Sequence, residues 1–134
     1  MKMLDNTIQG EVEVMGLTHV TVRVSDVAKQ GTPFNDEFLV DTGSIHCLAP
    51  RSKLEAAGIG PEGKKVYELT DGQTIEFEFG FARVKFLGDE TVTQIIFGPE
   101  GAEPLLGVVA LENTGVVVDP ITNELKRLHA MPLK

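Results

Sequence analysis

The amino-acid sequence predicts a mainly β protein with one or two short helices. Apolar and polar residues alternate along several stretches, which is the two-residue period of a half-buried strand. Glycine and aspartate residues separate these stretches as turn formers do, and helix signals are confined to two short segments. At 134 residues the chain has the size of one domain, so we expect a single domain over residues 1–134.

The first strands are predicted before residue 50. Alternating valines mark two early strands: Val12 and Val14, then Val20, Val22 and Val24. The polar loop SDVAKQGTPFN separates them from a hydrophobic strand over residues 38–40, which runs directly into Asp41.

Two short helices and a closing hairpin complete the prediction. PRSKLEAAGIG has Pro50 in a starting position and Gly58 placed as a stop, and VVALENTG ends at Gly115. In VVVDPITNEL, Asp119 and Pro120 occupy the first two positions of a type I turn. We expect that turn to join strands over residues 116–118 and 124–128.

The segment between the two helices is rich in strand formers over residues 66–98. Within it, Asp71-Gly72 supplies residues with positive φ for a tight hairpin turn. The apolar positions are odd-numbered at Phe77 and Phe79, but they are even-numbered after Gly80. Since a slip of one residue exchanges the faces of a strand, either a β-bulge near Gly80 or a two-residue loop at residues 80–81 explains the change. In the loop alternative, residue 78 opposes 83 and residue 76 opposes 85.

Composition and charge exclude several classes of function. The formal net charge of −8 argues against binding nucleic acid, which requires clustered cations. No apolar run approaches the roughly 20 residues that span a bilayer, so no membrane association is expected. Cys47 is the only cysteine, which fits a reducing compartment, and we expect a cytoplasmic protein. His19, His46 and His129 show no ligand spacing with Cys47, so neither a metal nor a cofactor is expected.

Asp41 is the residue whose position calls for an explanation. A carboxylate at the close of a buried strand is costly unless its oxygens accept hydrogen bonds. Thr42, Gly43 and Ser44 follow it and suit a tight turn. The N–H groups of Gly43 and Ser44, and the Ser44 hydroxyl, are within local reach of the carboxylate. These four residues could therefore hold a carboxylate in place for chemistry, and they are also consistent with an ordinary turn.

At four places, in the right order, the chain resembles the retropepsin-like aspartic proteases, with cellular and bacterial members as the nearer comparison. The four places are FLVDTGS, the hairpin YELTDGQTIEF, the strand pair VKFLGDETVTQIIFGP, and PLLGVVALENTG. Together they cover most of residues 10–119. The resemblance implies an acid-protease barrel with one lobe per chain and a flap hairpin. It also implies an aspartic endopeptidase that hydrolyses peptide bonds.

In this family two aspartates share one proton. One acts as general base on a water, and the other polarises the scissile carbonyl. Because this chain has one Asp-Thr-Gly, the resemblance implies a homodimer in which Asp41 of two chains meets on a two-fold axis.

The resemblance also implies roles for the residues near Asp41. Thr42 would form a hydrogen bond across the dimer axis, and Gly43 would let the backbone approach the substrate. Ser44 would bond to the outer oxygen of Asp41. Three residues would pack behind this loop, with no space for a side chain at the last of them: Leu105, Leu106 and Gly107.

The hairpin with Asp71 and Gly72 near its tip would be the mobile flap over the cleft. Because family flaps continue as one long bent strand, the resemblance favours the bulge at Gly80, with the reversal at Gly88-Asp89.

The chain departs from the retroviral pattern at three places. Ile45 and His46 stand where acidic residues are usual, Val108 replaces a charged residue, and residues 119–134 extend past the retroviral end. Two alternatives therefore stand beside the protease: a non-catalytic dimerisation or peptide-binding module of the same fold, and an unrelated β-barrel in which DTGS is only a turn.

Overall fold

The computed structural model describes residues 7–8, 11–12 and 18–133. Its strands are, in chain order, β1 (Thr7–Ile8), β2 (Glu11–Val12), β3 (Thr18–Ser25), β4 (Phe34–Val40), β5 (Cys47–Pro50), β6 (Gly63–Glu68), β7 (Thr74–Phe86), β8 (Asp89–Gly98), β9 (Leu105–Leu106), β10 (Val116–Val118) and β11 (Leu125–Arg127). The helices are α1 (Arg51–Ala56) and α2 (Val108–Asn113). Val14, in the first predicted strand, lies outside the described residues.

Eight of these strands form one sheet in the order β2-β3-β4-β9-β5-β8-β7-β6. β3 also pairs with the far half of β7, Arg23 opposite Lys85, so the sheet curls round on itself. A second sheet has the order β1-β11-β10. The prediction of a mainly β lobe with two short helices is confirmed.

The core fills the inside of the curled sheet. Alternate side chains of β3 and β7 point into it, as the two-residue period predicts: Val20, Val22, Val24, Ala82, Val84 and Phe86 are buried. Helix α1 closes one side with Leu54 and begins after Pro50, and Gly58 follows it at φ +86°. Helix α2 adds Ala110 and Leu111 and precedes Gly115 at φ +74°. Both helix predictions are confirmed.

At Gly80 neither the hairpin loop nor the bulge is observed. β7 runs unbroken from Thr74 to Phe86, and its register with β8 is continuous from Phe79 opposite Ile96 to Phe86 opposite Asp89. The apolar residues change face for another reason. From Gly80 onward the even positions face the core, whereas the first half of β7 projects from it as part of a hairpin with β6. Gly80 lies where β7 passes from the projecting hairpin into the part that faces the core, and an added Cβ there would be 2.5 Å from the Gly60 carbonyl oxygen.

Two predicted turns need adjustment. In the β6–β7 hairpin only Gly72 has positive φ, at +87°, and the turn is wider than two residues because Gly72 N donates to Leu69 O and Leu69 N donates to Gln73 O. The β7–β8 reversal lies at Leu87-Gly88, one residue earlier than predicted, with both residues at positive φ as a tight type I′ turn requires.

The predicted closing hairpin is confirmed as β10 and β11. Its loop is held by Asp119, whose Oδ1 accepts hydrogen bonds from Ile121 N and Thr122 N and whose Oδ2 contacts Lys126 Nζ at 2.8 Å. Among the described helices, neither α1 nor α2 has the length and hydropathy to cross a membrane.

Candidate active site

Asp41 stands where two parallel strands end side by side. β4 pairs with β9 through Leu39 opposite Leu105 and Val40 opposite Leu106, and Asp41 N donates to Leu106 O at 3.0 Å. Phe38 and Val40, near the end of β4, are buried, and the ladder continues into the first residue of the turn. The strand therefore fixes the backbone of Asp41, which is half-buried at the edge of the core.

The turn after Asp41 binds its carboxylate through one backbone group. Gly43 N donates to Asp41 Oδ1 at 3.0 Å, and a Cβ on Gly43 would lie 3.3 Å from that oxygen. Ser44 differs from the prediction: its N–H donates to the Asp41 main-chain carbonyl at 3.1 Å, and its hydroxyl donates to His46 O at 2.8 Å. Within one chain, the Ser44 hydroxyl thus braces the loop instead of contacting the carboxylate. Thr42 is exposed at the tip.

Behind the turn, the start of α2 is joined to the loop. Val108 N donates to Ser44 O at 2.8 Å, and Val109 N donates to Ile45 O at 3.1 Å. These are N–H groups of the first helical turn, which have no partner inside the helix. Gly107 precedes these residues and packs closely against the loop: an added Cβ would lie 2.5 Å from His46 O and 2.8 Å from Ile45 O.

A cleft of about 770 Å³ runs between the Asp41 turn and the β6–β7 hairpin. The turn side contributes Asp41, Gly43, Ser44, Ile45 and His46, and the hairpin side contributes residues 65–71 and Phe77. Leu48, Ile96 and Leu105 line it as well, so most of its wall is apolar. Of the predicted residues, the structure brings Asp41, Gly43, Ser44, Leu105 and Asp71 to one cleft. Leu106 and Gly107 are buried behind the loop, and Gly72 is exposed at the hairpin turn.

One contact crosses this cleft that the sequence did not predict. The Tyr67 hydroxyl lies 3.2 Å from His46 Nδ1, and the two rings meet edge to face with centroids 6.2 Å apart. Tyr67 also packs against Phe77 on its own hairpin. Burial raises the pKa of Tyr67, and burial followed by the charge of Lys65 lowers the pKa of His46. The link joins the Asp41 loop to the hairpin, and no local pattern could reveal it because it depends on the hairpin folding over the loop.

The remaining ionisable groups near the cleft do not form a metal site. In the described ranges, no group of three or more His, Cys, Asp or Glu side chains is placed to hold a metal ion. Cys47 is fully buried beside the loop, and burial raises the pKa of its thiol to about 11. Near neutral pH this thiol is protonated, which makes it a weak nucleophile.

The chain is thus a mainly β protein in which the Asp41 turn faces a cleft covered by the β6–β7 hairpin. Among solved structures, the chain is similar to a retropepsin-like aspartic protease from Rickettsia conorii, with 18% sequence identity over 80% of this chain and 88% of that chain and a TM-score of 0.46. It is also similar to the foamy viral protease-reverse transcriptase solved with an RNA/DNA hybrid, at 14% identity and a TM-score of 0.49.

That second similarity covers 69% of this chain and spans 11% of the foamy viral protein. No family model and no curated protein matches the chain.

Proposed function

We propose that the protein is an aspartic endopeptidase that acts as a homodimer, with each chain supplying Asp41 to a shared catalytic dyad. One observation carries the proposal: Asp41 ends a buried strand, has its carboxylate bonded by Gly43 N–H, and faces a cleft large enough for an extended peptide. A carboxylate held in this way is pre-positioned for acid–base chemistry, because a rigid backbone sets its place before the substrate arrives.

The chemistry requires a second carboxylate close to the first. Two carboxylates about 3 Å apart cannot both ionise, so one keeps a proton and acts as the acid while the other is the base. The base takes a proton from a water that attacks the scissile carbonyl, and the acid polarises that carbonyl. The other carboxylates along the cleft, Glu68 and Asp71, belong to the hairpin, and Asp71 Oδ1 accepts a hydrogen bond from Gln73 N in its own turn.

A second chain is therefore the best source of the partner carboxylate. The exposed tip at Thr42 leaves the loop open to an identical loop, and a two-fold axis beside it would bring the two Asp41 side chains together. In such a dimer Thr42 would donate a hydrogen bond across the axis. The apolar wall residues Ile45, Leu48 and Leu105 would receive substrate side chains.

We assign the β6–β7 hairpin the role of a flap. Among the described strands, β6 is at the edge of the large sheet and pairs with β7 alone. The hairpin projects over the cleft, where Tyr67 contacts His46. Entry of a peptide would open this contact, and closure would exclude water from the reacting groups.

The decisive variant is Asp41→Asn, which keeps the size of the side chain and removes the acid. We expect it to abolish cleavage of an unfolded protein or peptide at mildly acidic pH while circular dichroism and the dimer are unchanged. Asp36→Asn is the matched control, because Asp36 lies on β4, the strand that leads to Asp41, and its carboxylate is outside the cleft. It contacts Lys53 Nζ, an ion pair of about 0–1 kcal/mol, and accepts a hydrogen bond from Glu37 N. Full activity in Asp41→Asn would remove Asp41 from the mechanism.

Two further outcomes separate the alternatives. A statine-type inhibitor should block cleavage, since its hydroxyl replaces the attacking water between the carboxylates. A wild-type dimer that binds peptides and never cleaves them would favour the non-catalytic module, and a strictly monomeric protein would exclude the shared dyad.

A further inference from the structure

A second concavity lies at the far end of the curled sheet from Asp41. It has a volume of about 340 Å³ between β3, β7 and the loop over residues 26–33. Its lining is mainly basic and comprises Arg23, Ser25, Lys29, Gly31, Pro33, Arg83, Lys85 and Glu90. We call it the basic groove. Arg23 pairs with Asn35, six residues before Asp41, so a strand rise of about 3.3 Å per residue places the groove on the order of 20 Å from the cleft.

The charge of the basic groove is opposite to that of the protein. The chain has a formal net charge of −8 and 12 Lys and Arg residues, and four of those cations line this one groove. Two of them stand directly opposite each other, because the antiparallel register of β3 and β7 pairs Arg23 with Lys85. Like charges in directly opposed positions destabilise a sheet. Cations clustered in this way on an acidic chain destabilise the sheet locally, and such local destabilisation is typical of a functional site.

Carboxylates in the groove neutralise only part of this charge. Glu90 is the acidic lining residue, and it is shared by Arg83 Nη1 at 3.1 Å and Lys29 Nζ at 3.8 Å. Arg83 Nε also donates to Val27 O at 2.6 Å, which fixes the guanidinium. Lys85 stands opposite Glu90 in the β7–β8 register, but over residues 18–133 neither Arg23 nor Lys85 has a carboxylate oxygen within 4 Å. These two cationic side chains therefore remain to bind a ligand.

The wall of the basic groove is held rigidly. Asp26 accepts hydrogen bonds from Gly31 N at 2.8 Å and Gln30 N at 3.1 Å, and the Gly31 bond is the main cause that lowers the pKa of Asp26. Gly31 packs against α1 so closely that an added Cβ would be 2.2 Å from Ala57 O. Lys29 has φ +61°, a left-handed conformation that lysine rarely adopts, and this places it beside the groove. The site is thus preformed.

From this arrangement we propose that the basic groove binds a phosphate-type oxyanion. Arginine and lysine side chains and the Ser25 hydroxyl are the donors that such an anion prefers, and the anion would relieve the repulsion between Arg23 and Lys85. The phosphate group is either free or carried on a small molecule or side chain, and both sources share this chemistry. The site is separate from the Asp41 cleft and does not depend on peptidase activity.

Isothermal titration with pyrophosphate at fixed low ionic strength tests the proposal. We expect one pyrophosphate per wild-type chain and an affinity that is lower by about tenfold or more in Lys85→Gln, as the loss of one charge-assisted hydrogen bond implies. Lys64→Gln is the matched control, because Lys64 is an exposed lysine of β6 outside the groove and its loss changes the net charge equally. Its affinity should equal that of the wild type.

Thermal unfolding supplies a second measurement. Pyrophosphate should raise the midpoint of the wild type and of Lys64→Gln, because a ligand that binds only the folded state stabilises it, and the rise should be lost in Arg23→Gln. Comparison of inorganic phosphate with O-phosphoserine identifies the source, with tighter binding of the second indicating a carried phosphate. Absence of binding at millimolar pyrophosphate would overturn the proposal. So would a loss of affinity in Lys64→Gln equal to that in Lys85→Gln, since it would mean that pyrophosphate responds to the net charge of the protein and not to the groove.

Discussion

Gly107 offers a sharp test of how the Asp41 loop is supported. An added Cβ at this position would lie 2.5 Å from His46 O and 2.6 Å from His46 C, distances that a folded chain does not tolerate without moving the backbone. Gly107 has φ −88°, which alanine adopts without strain, so the clash is the only penalty of Gly107→Ala. Because the obstructing atoms are backbone, we expect a net loss at the upper part of the usual overpacking range, about 2 kcal/mol, after the gain of about 0.4–1 kcal/mol from a stiffer unfolded chain.

Urea unfolding followed by circular dichroism measures this loss. With a slope of about 2 kcal/mol per molar urea, the midpoint should fall by about 1 M. Gly60→Ala is the control, because an added Cβ there meets nothing within 4 Å, and its midpoint should stay the same or rise slightly. The loss of peptide cleavage in Gly107→Ala should be larger than the loss of folded protein, since moving His46 O breaks its hydrogen bond with the Ser44 hydroxyl. Equal midpoints for the two alanine variants would refute the reasoning.

Three other contacts yield predictions. Tyr67→Phe removes the hydroxyl that contacts His46, so hydrogen exchange of the β6–β7 hairpin amides should accelerate, and unchanged exchange would show that the contact does not hold the hairpin. The hydrogen bond from Lys126 holds the pKa of Asp119 at about 2, and Lys126→Met should raise that pKa when it is followed by NMR. Because this folded-state pKa is depressed, the stabilisation is present above about pH 4 and is lost as the pH falls toward 2, and an identical acid-unfolding curve in the variant would contradict it. Cys47 should react slowly with a thiol reagent at neutral pH in the folded protein and rapidly in urea, whereas fast labelling of the native state would contradict its burial.

Local patterns in the sequence predict much of the fold. The valine alternation of β3, the Pro50 and Gly58 limits of α1, and the turn at Asp119 each depend on neighbours within a few residues, and each appears in the structure. The site turn is local in the same sense, because Gly43 reaches the Asp41 carboxylate from two residues away.

Features that depend on distant segments were not predictable in this way. The phase change at Gly80 looked like a break in the strand, whereas β7 simply leaves the core there and passes close to Gly60. The Ser44 hydroxyl turns to His46 O because the loop folds back toward α2, an arrangement that nothing in DTGS specifies. The contact of His46 with Tyr67 joins residues 21 positions apart across a cleft.

We propose that catalysis requires Asp41 from two chains, and activity in mixtures of wild-type and Asp41→Asn chains tests this requirement most directly. The two proteins are unfolded, mixed in equal amounts and refolded together so that subunits pair at random, and cleavage is measured per total chain. A shared dyad predicts about one quarter of wild-type activity, because only a quarter of random dimers contain two acids. Activity of about one half, as independent chains would give, would contradict the account.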